Sequence, residues 1–113
     1  MAILNVHNVL GTVLILTSLA AIFWAPARRY VLYVLVLQIV LGAIAWSVTK
    51  LPPPTAHWLL AVLNGGTYAM ATAFEKRGRP RPLVLGMLVL GFAVFAIVYA
   101  IGMHAYKVYY PSA

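Results

Sequence analysis

Histidine is the side chain in this sequence best suited to hold a metal or pass an electron, and it occurs three times, as His7, His57 and His104. Its neutral ring is a ligand for iron, zinc or copper. Cysteine is absent, which removes disulfides, thiolate zinc sites, thiolate nucleophiles and covalent c-type haem attachment together. Glu75 is the only acidic side chain. Followed by Lys76 and Arg77, it reads as a solvated residue about a membrane thickness from the histidines. Paired-carboxylate and serine-histidine-acid chemistry are therefore excluded. Two histidines without cysteine or carboxylate also leave a mononuclear zinc or copper site short of ligands.

The elements that carry these histidines are apolar. Hydrophobic residues make up 65% of the chain and charged ones 8%, against about 25% charged in an ordinary soluble domain, so the sequence reads as a membrane protein. The net charge of +7 comes from short clusters between apolar runs, which report orientation and imply no nucleic-acid partner. Around His57, Pro52 to Pro54 end the preceding helix, Thr55 is the expected N-cap, and a new helix begins at about Ala56. A histidine at the mouth of a membrane helix needs a partner, because an unpaired polar group facing hydrocarbon is costly.

Four apolar runs are each close to the 20 residues that cross a hydrocarbon core of roughly 30 Å. They cover about 3–24, 30–49, 56–74 and 83–106 of a single domain, 1–113. The first is expected to be a membrane helix and not a secretory signal, since His7 and Asn8 interrupt its start, no basic residue stands before it, and Pro26, Arg28 and Arg29 close it. Short connections make neighbouring spans antiparallel, so the expected fold is all-α, an integral-membrane four-helix up-down-up-down bundle. Arg28, Arg29, Lys76, Arg77, Arg79 and Arg81 fall in the first and third connections, against Lys50 and Lys107 on the other side. Positive residues stay inside, so a multi-pass protein of the cell membrane is expected, with basic loops 25–29 and 75–82 cytoplasmic and both termini extracytoplasmic. No internal repeat appears, and the proline run is the only low-complexity tract.

This topology places all three histidines near the outer face. His7 lies 21 residues from Arg28, His57 lies 19 from Lys76 and His104 lies 23 from Arg81, or roughly 31, 29 and 35 Å of helix. His7 and His57 are therefore level, with His104 about a turn further out. Two parallel helices presenting imidazoles at one height can ligate a haem iron from both sides. Gly11, one turn below His7, removes a side chain where a porphyrin would lie, and Gly65 and Gly66 lie about two turns below His57. Ala61, Asn64 and Tyr68 continue the His57 face as a row of small or polar residues. The same features have plainer readings. Glycines also close-pack apolar helices with no cofactor, His104 is either a metal ligand or an interfacial hydrogen-bonding residue, and Gln38 is either an interhelical hydrogen bond or a contact to a cofactor or quinone edge.

The order His7 with Gly11, then Leu37-Gln38-Ile39-Val40-Leu41-Gly42-Ala43, a proline-bearing loop, and Ala56-His57-Trp58-Leu59-Leu60-Ala61 resembles one four-helix half of the haem A synthase family. Members of that family join two such halves and oxidise a haem O methyl group to the formyl group of haem A. The resemblance covers about Asn5 to Ala73. It implies His7 and His57 as axial ligands of a haem iron. The expected site is one haem b held by that pair, with Gly11, Gln38, Gly42 and Asn64 around the cofactor. The departures bear on activity: Leu4 stands where the family has a glutamate, His7-Asn8 replaces a histidine-arginine step, the extracytoplasmic cysteines are missing, and the fourth helix comes last instead of first. A lone half is expected to pair with itself as a homodimer, with the glycine-bearing fourth helix as contact surface. Three functions follow as expectations: haem modification or oxidase assembly, electron transfer with a quinol or a respiratory oxidase, or a cofactor-free accessory subunit.

Overall fold

A computed structural model describes residues 2–111. Among them are four helices, α1 (Ala2–Phe23), α2 (Ala27–Thr49), α3 (Thr55–Lys76) and α4 (Arg81–Tyr109), and no strand. The protein is an all-α, up-down-up-down bundle 48 Å long and 20 × 19 Å across. Helix α1 packs on α2 and α4, and α3 packs on the same two. Thus α1 and α3 face each other across one diagonal, with α2 and α4 on the other.

The helices run further than the apolar stretches because proline marks their starts. Pro26, Pro54 and Pro80 occupy the N-cap positions of α2, α3 and α4. A proline before or within the first turn removes no hydrogen bond the helix needs. Arg28 and Arg29 therefore lie inside α2, and α4 begins at Arg81, ahead of the expected Leu83. Thr55 is not a cap: it is the first residue of α3, and the His57 amide donates to the Pro54 carbonyl at 3.0 Å. At the end of α2, Lys50 takes the left-handed conformation at φ 61° and its amide donates to the Trp46 carbonyl. The Tyr109 hydroxyl, donating to Pro52 O at 2.8 Å, ties the end of α4 to the proline loop.

The buried positions repeat with alternating steps of four and three. They run Leu14, Ser18 and Ala21 on α1; Val31, Leu35, Gln38 and Ala45 on α2; Ala61, Asn64, Tyr68 and Ala71 on α3; and Val84, Leu88, Gly91, Phe95 and Val98 on α4. A 3.5-residue average keeps one narrow seam of each helix on the bundle axis. The outward faces are lined with exposed Val, Leu, Ile, Trp and Phe, the composition a lipid-facing surface takes. Helices α1, α2 and α4 are long and apolar enough to cross a membrane. Helix α3 has a similar length but carries polar side chains on its seam, where Asn64 and Tyr68 are buried.

Glycine is what lets the large seam residues fit. Tyr68 is fully buried and stacks on Phe95 at 5.4 Å between ring centres. A Cβ on Gly91 would stand 2.6 Å from its ring. Beside it, Asn64 Nδ2 donates to the Gly91 carbonyl at 2.8 Å, a buried bond between α3 and α4. At the far end of the bundle from the histidines, Arg28 is buried, donates to the Ala21 carbonyl at 2.9 Å, and forms an ion pair with Glu75. Glu75 is thus not simply a solvated residue, as its sequence neighbours suggest. It is half-exposed, but it neutralises a guanidinium that the α1–α2 corner has taken out of water.

Candidate functional site

The seams of α1 and α3 both end at a histidine: stepping outward from Leu14 gives Gly11 and His7, and from Ala61 gives His57. The two rings meet across the diagonal with centres 6.3 Å apart and planes at 76°. The equivalent steps on the other diagonal reach Gly42 on α2 and Gly102 on α4. A Cβ on Gly42 would come within 3.1 Å of His7 Cε1, and one on Gly102 within 2.5 Å of His57 Cε1. This layer therefore holds two imidazoles on one diagonal and two glycines on the other. Each ring lies against a backbone that has no side chain to displace it.

His57 is held more firmly than His7. Its Nδ1 pairs with the Val98 carbonyl of α4 at 2.8 Å. Since a carbonyl oxygen only accepts, Nδ1 carries the proton and Nε2 keeps its lone pair for a ligand. An imidazole whose other nitrogen donates to a backbone carbonyl is the usual arrangement of a metal-binding histidine. His7 Nδ1 is buried without a protein partner, and so is Gln38 Oε1. Unpaired buried polar atoms are uncommon in folded proteins and call for a bound water or ligand.

Both rings line a cavity of about 330 Å³ that reaches from Tyr110 and the proline loop down to Leu14, Leu35 and Phe95. Leu4, Gly11, Gln38 and Gly42 also line it. Ile39, Trp46, Trp58 and Val62 line it too while remaining exposed, so it opens along the seam between α2 and α3. Of the residues singled out in the sequence, His7, His57, Gly11, Gln38 and Gly42 thus come together. Asn64 does not: it lies two turns below His57, under the cavity floor, and its amide is used on Gly91. Nor does His104, which is exposed on the outside of α4. Gly65 serves the α2–α3 contact, since a Cβ there would meet Leu35 at 2.9 Å, whereas Gly66 faces open space.

Three contributors from α4 had not been singled out in the sequence as part of the site. Tyr99 lies against Gly11, where a Cβ would be 3.3 Å from its ring, and its hydroxyl shares a 3.2 Å hydrogen bond with Thr12. The Val98 carbonyl has no sequence signal. Gly102 does have one, because it continues the α4 seam one step beyond Val98, level with a histidine. Gly91 and Gly102 are taken up inside the bundle, so the fourth-helix glycine surface expected for self-association is reduced to Gly86, which has nothing within 4 Å.

The glycine layer makes a testable demand. Gly102→Ala must push the His57 ring off its bond to Val98, and overpacking of this kind costs about 1–3 kcal/mol. Gly66→Ala meets no neighbour and is expected to be neutral or to stabilise by up to about 1 kcal/mol through helix propensity. Unfolding both variants in mixed micelles with increasing SDS checks this; equal effects would mean that the Gly102 contact does not matter.

No group of three or more histidine, cysteine or carboxylate side chains converges among the described residues, so a metal held by protein ligands alone has two donors here. Two imidazoles do suffice when the other donors come from a macrocycle. A ring nitrogen lies roughly 1.2 Å from its ring centre and binds a first-row metal at about 2.0–2.1 Å. Two rings facing one ion from opposite sides would stand about 6.4 Å apart; here the centres are 6.3 Å apart, with the Cε1–Nε2 edge of His7 toward Gly42 and the Cε1–Nδ1 edge of His57 toward Gly102. Fold and site together define a small apolar helical bundle with an imidazole pair at one end of its core. Comparison with protein-family models, with curated proteins and with solved structures returns no match.

Proposed function

We propose that this protein is a membrane b-type haem protein that holds one haem between His7 and His57 and passes electrons through it. The spacing of the two rings carries this reading, and the Val98 bond that fixes the His57 tautomer supports it. The bound group supplies one-electron chemistry at its iron. The chain's own residues bind and orient. His7 and His57 would hold the group, one from each of the two helices that face across the bundle. Gly42 and Gly102 let each ring seat against backbone. Gln38 keeps a buried amide oxygen beside the cavity, where a water can donate to it, and Tyr99 with Leu14, Leu35 and Phe95 lines the inner end. The opening between Trp46 and Trp58 faces lipid, so the partner we favour is a lipid-soluble donor such as a quinol, or a respiratory oxidase in the same membrane.

In this reading all four helices span the cell membrane. The six basic residues of the two loops at the Arg28 end are cytoplasmic, and both termini and the histidine pair lie on the outer side. A second reading, action on haem or help in oxidase assembly as in one half of a haem A synthase, is favoured by the grouping of His7, Gly11, Gln38, Gly42 and His57 around one cavity. Against methyl oxidation, Leu4 lines that cavity where the family has a glutamate. Self-association remains part of the proposal, with Gly86 on the fourth helix as its small-residue face.

Reduced-minus-oxidised difference spectra of the purified full-length protein test the first reading: one haem b per chain is expected, and protein that stays colourless when expressed with ample haem would overturn it. Supplying haem O and analysing the extracted haems separates the two readings. Unconverted haem is expected, and accumulation of haem A would favour the second.

A further inference from the structure

At the end of the bundle remote from the histidines, a second cavity of about 340 Å³ is lined by Arg28, Arg79 and Arg81 together with Glu75 and the apolar side chains Ile22, Phe23, Val84 and Leu85. Three arginines and one carboxylate share this lining. That carboxylate is already bound to Arg28, and it belongs to the only acidic residue of the chain. Arg79 and Arg81 thus have no acidic side chain to pair with anywhere in the sequence. Two of the three guanidiniums are held in place: Arg28 by the Ala21 carbonyl and Glu75, and Arg79 over the Phe74 ring at 5.8 Å. Beside this charge the wall turns apolar, with Phe23 exposed on α1, Ile22 and Leu85 half-buried, and Val84 buried behind them.

A ligand that satisfies both halves of this cavity is anionic at one end and hydrocarbon at the other. We propose that the cavity binds the phosphate of an acidic phospholipid, one per chain, with an acyl chain lying along Ile22, Phe23 and Leu85. Planar guanidiniums match phosphate oxygens in pairs, and basic pockets between membrane helices at the cytoplasmic face are suited to such headgroups. The site joins the α1–α2 corner to the α3–α4 connection. It is independent of what the histidines bind.

Native mass spectrometry of the full-length protein, in detergent carrying equal amounts of phosphatidylglycerol and phosphatidylcholine, tests this. Retention of phosphatidylglycerol over phosphatidylcholine is expected. That preference should fall roughly 30-fold in R79Q/R81Q, from two basic residues each acting near an anionic surface. It should persist in K50Q/K107Q, which removes the same charge at the opposite end, and circular dichroism should show all three proteins equally helical. Equal retention of the two lipids, or a preference that survives in R79Q/R81Q, would overturn the proposal. So would binding of inorganic phosphate, lost in R79Q/R81Q, in a protein with no lipid preference, since the cavity would then take a soluble anion.

Discussion

His57→Ala is expected to purify without haem, and so is His7→Ala. Each variant removes one of the two side chains proposed to hold the haem. Loss of a supporting residue behind a metal ligand already costs 10–100-fold in affinity, so loss of the ligand itself is expected to lower haem retention by roughly 100-fold or more. The two sites are unequal in their packing. His57 bonds Val98 and fills the space over Gly102, so its removal also opens the α3–α4 seam. His7 makes no such bond, and its loss should leave the helices closer to their native stability. His7→Gly gives a sharper check, because free imidazole can enter the space the side chain leaves. Recovery of the difference spectrum on adding imidazole to His7→Gly, with none in the double variant, is the expected pattern. Full haem content in either alanine variant would remove that residue from the ligand set.

Glu75→Ala is expected to unfold more readily than the wild-type protein. It leaves the buried Arg28 guanidinium with the Ala21 carbonyl as its remaining partner. Breaking a fully buried pair costs about 3–5 kcal/mol. Glu75 is half-exposed, so water screens part of the interaction and the expected loss is about 2–3 kcal/mol. Arg28→Met combined with Glu75→Leu should recover most of it, since no charge is then left stranded. Detergent unfolding of the two single variants and the double gives the coupling directly. A coupling above about 1 kcal/mol is expected for groups in contact, and additive effects would mean that the pair contributes nothing.

Both results depend on features that the sequence discloses unevenly. The four helices are legible because apolar runs near 20 residues are punctuated by Pro26, Pro52 to Pro54, Pro80 and Pro82. Counting 1.5 Å per residue from the basic clusters puts His7 and His57 at one height, and the structure sets their rings side by side. Helix faces are less legible in a chain this apolar, because lipid-facing and core-facing residues share one chemistry. Asn64 shares a face with His57 through steps of four and three, yet seven residues are about 10 Å of helix, enough to carry it below the cavity. Gly102 looks like any small residue of a membrane helix until its seam is followed from Val84. Arg28 is read as a topogenic charge, and only the fold reveals that the corner at Pro26 turns it inward to a carboxylate 47 residues away.

Small residues govern this protein at both scales. Glycine at 42, 91 and 102 gives a ring on the neighbouring helix room against bare backbone. That lets four narrow seams hold a tyrosine, a phenylalanine and two imidazoles without splaying the bundle. The same absence of side chains that packs the middle of the core opens a cavity at its end, because there the rings meet each other instead of an aliphatic layer.

The electron paramagnetic resonance spectrum of the oxidised, full-length protein tests the shared iron most directly. Two imidazoles on one iron predict a low-spin ferric signal with no high-spin component, unchanged by added cyanide or azide because no coordination position is open. A high-spin signal, or a spectrum that shifts on adding either anion, would mean that the rings of His7 and His57 do not both bind the metal.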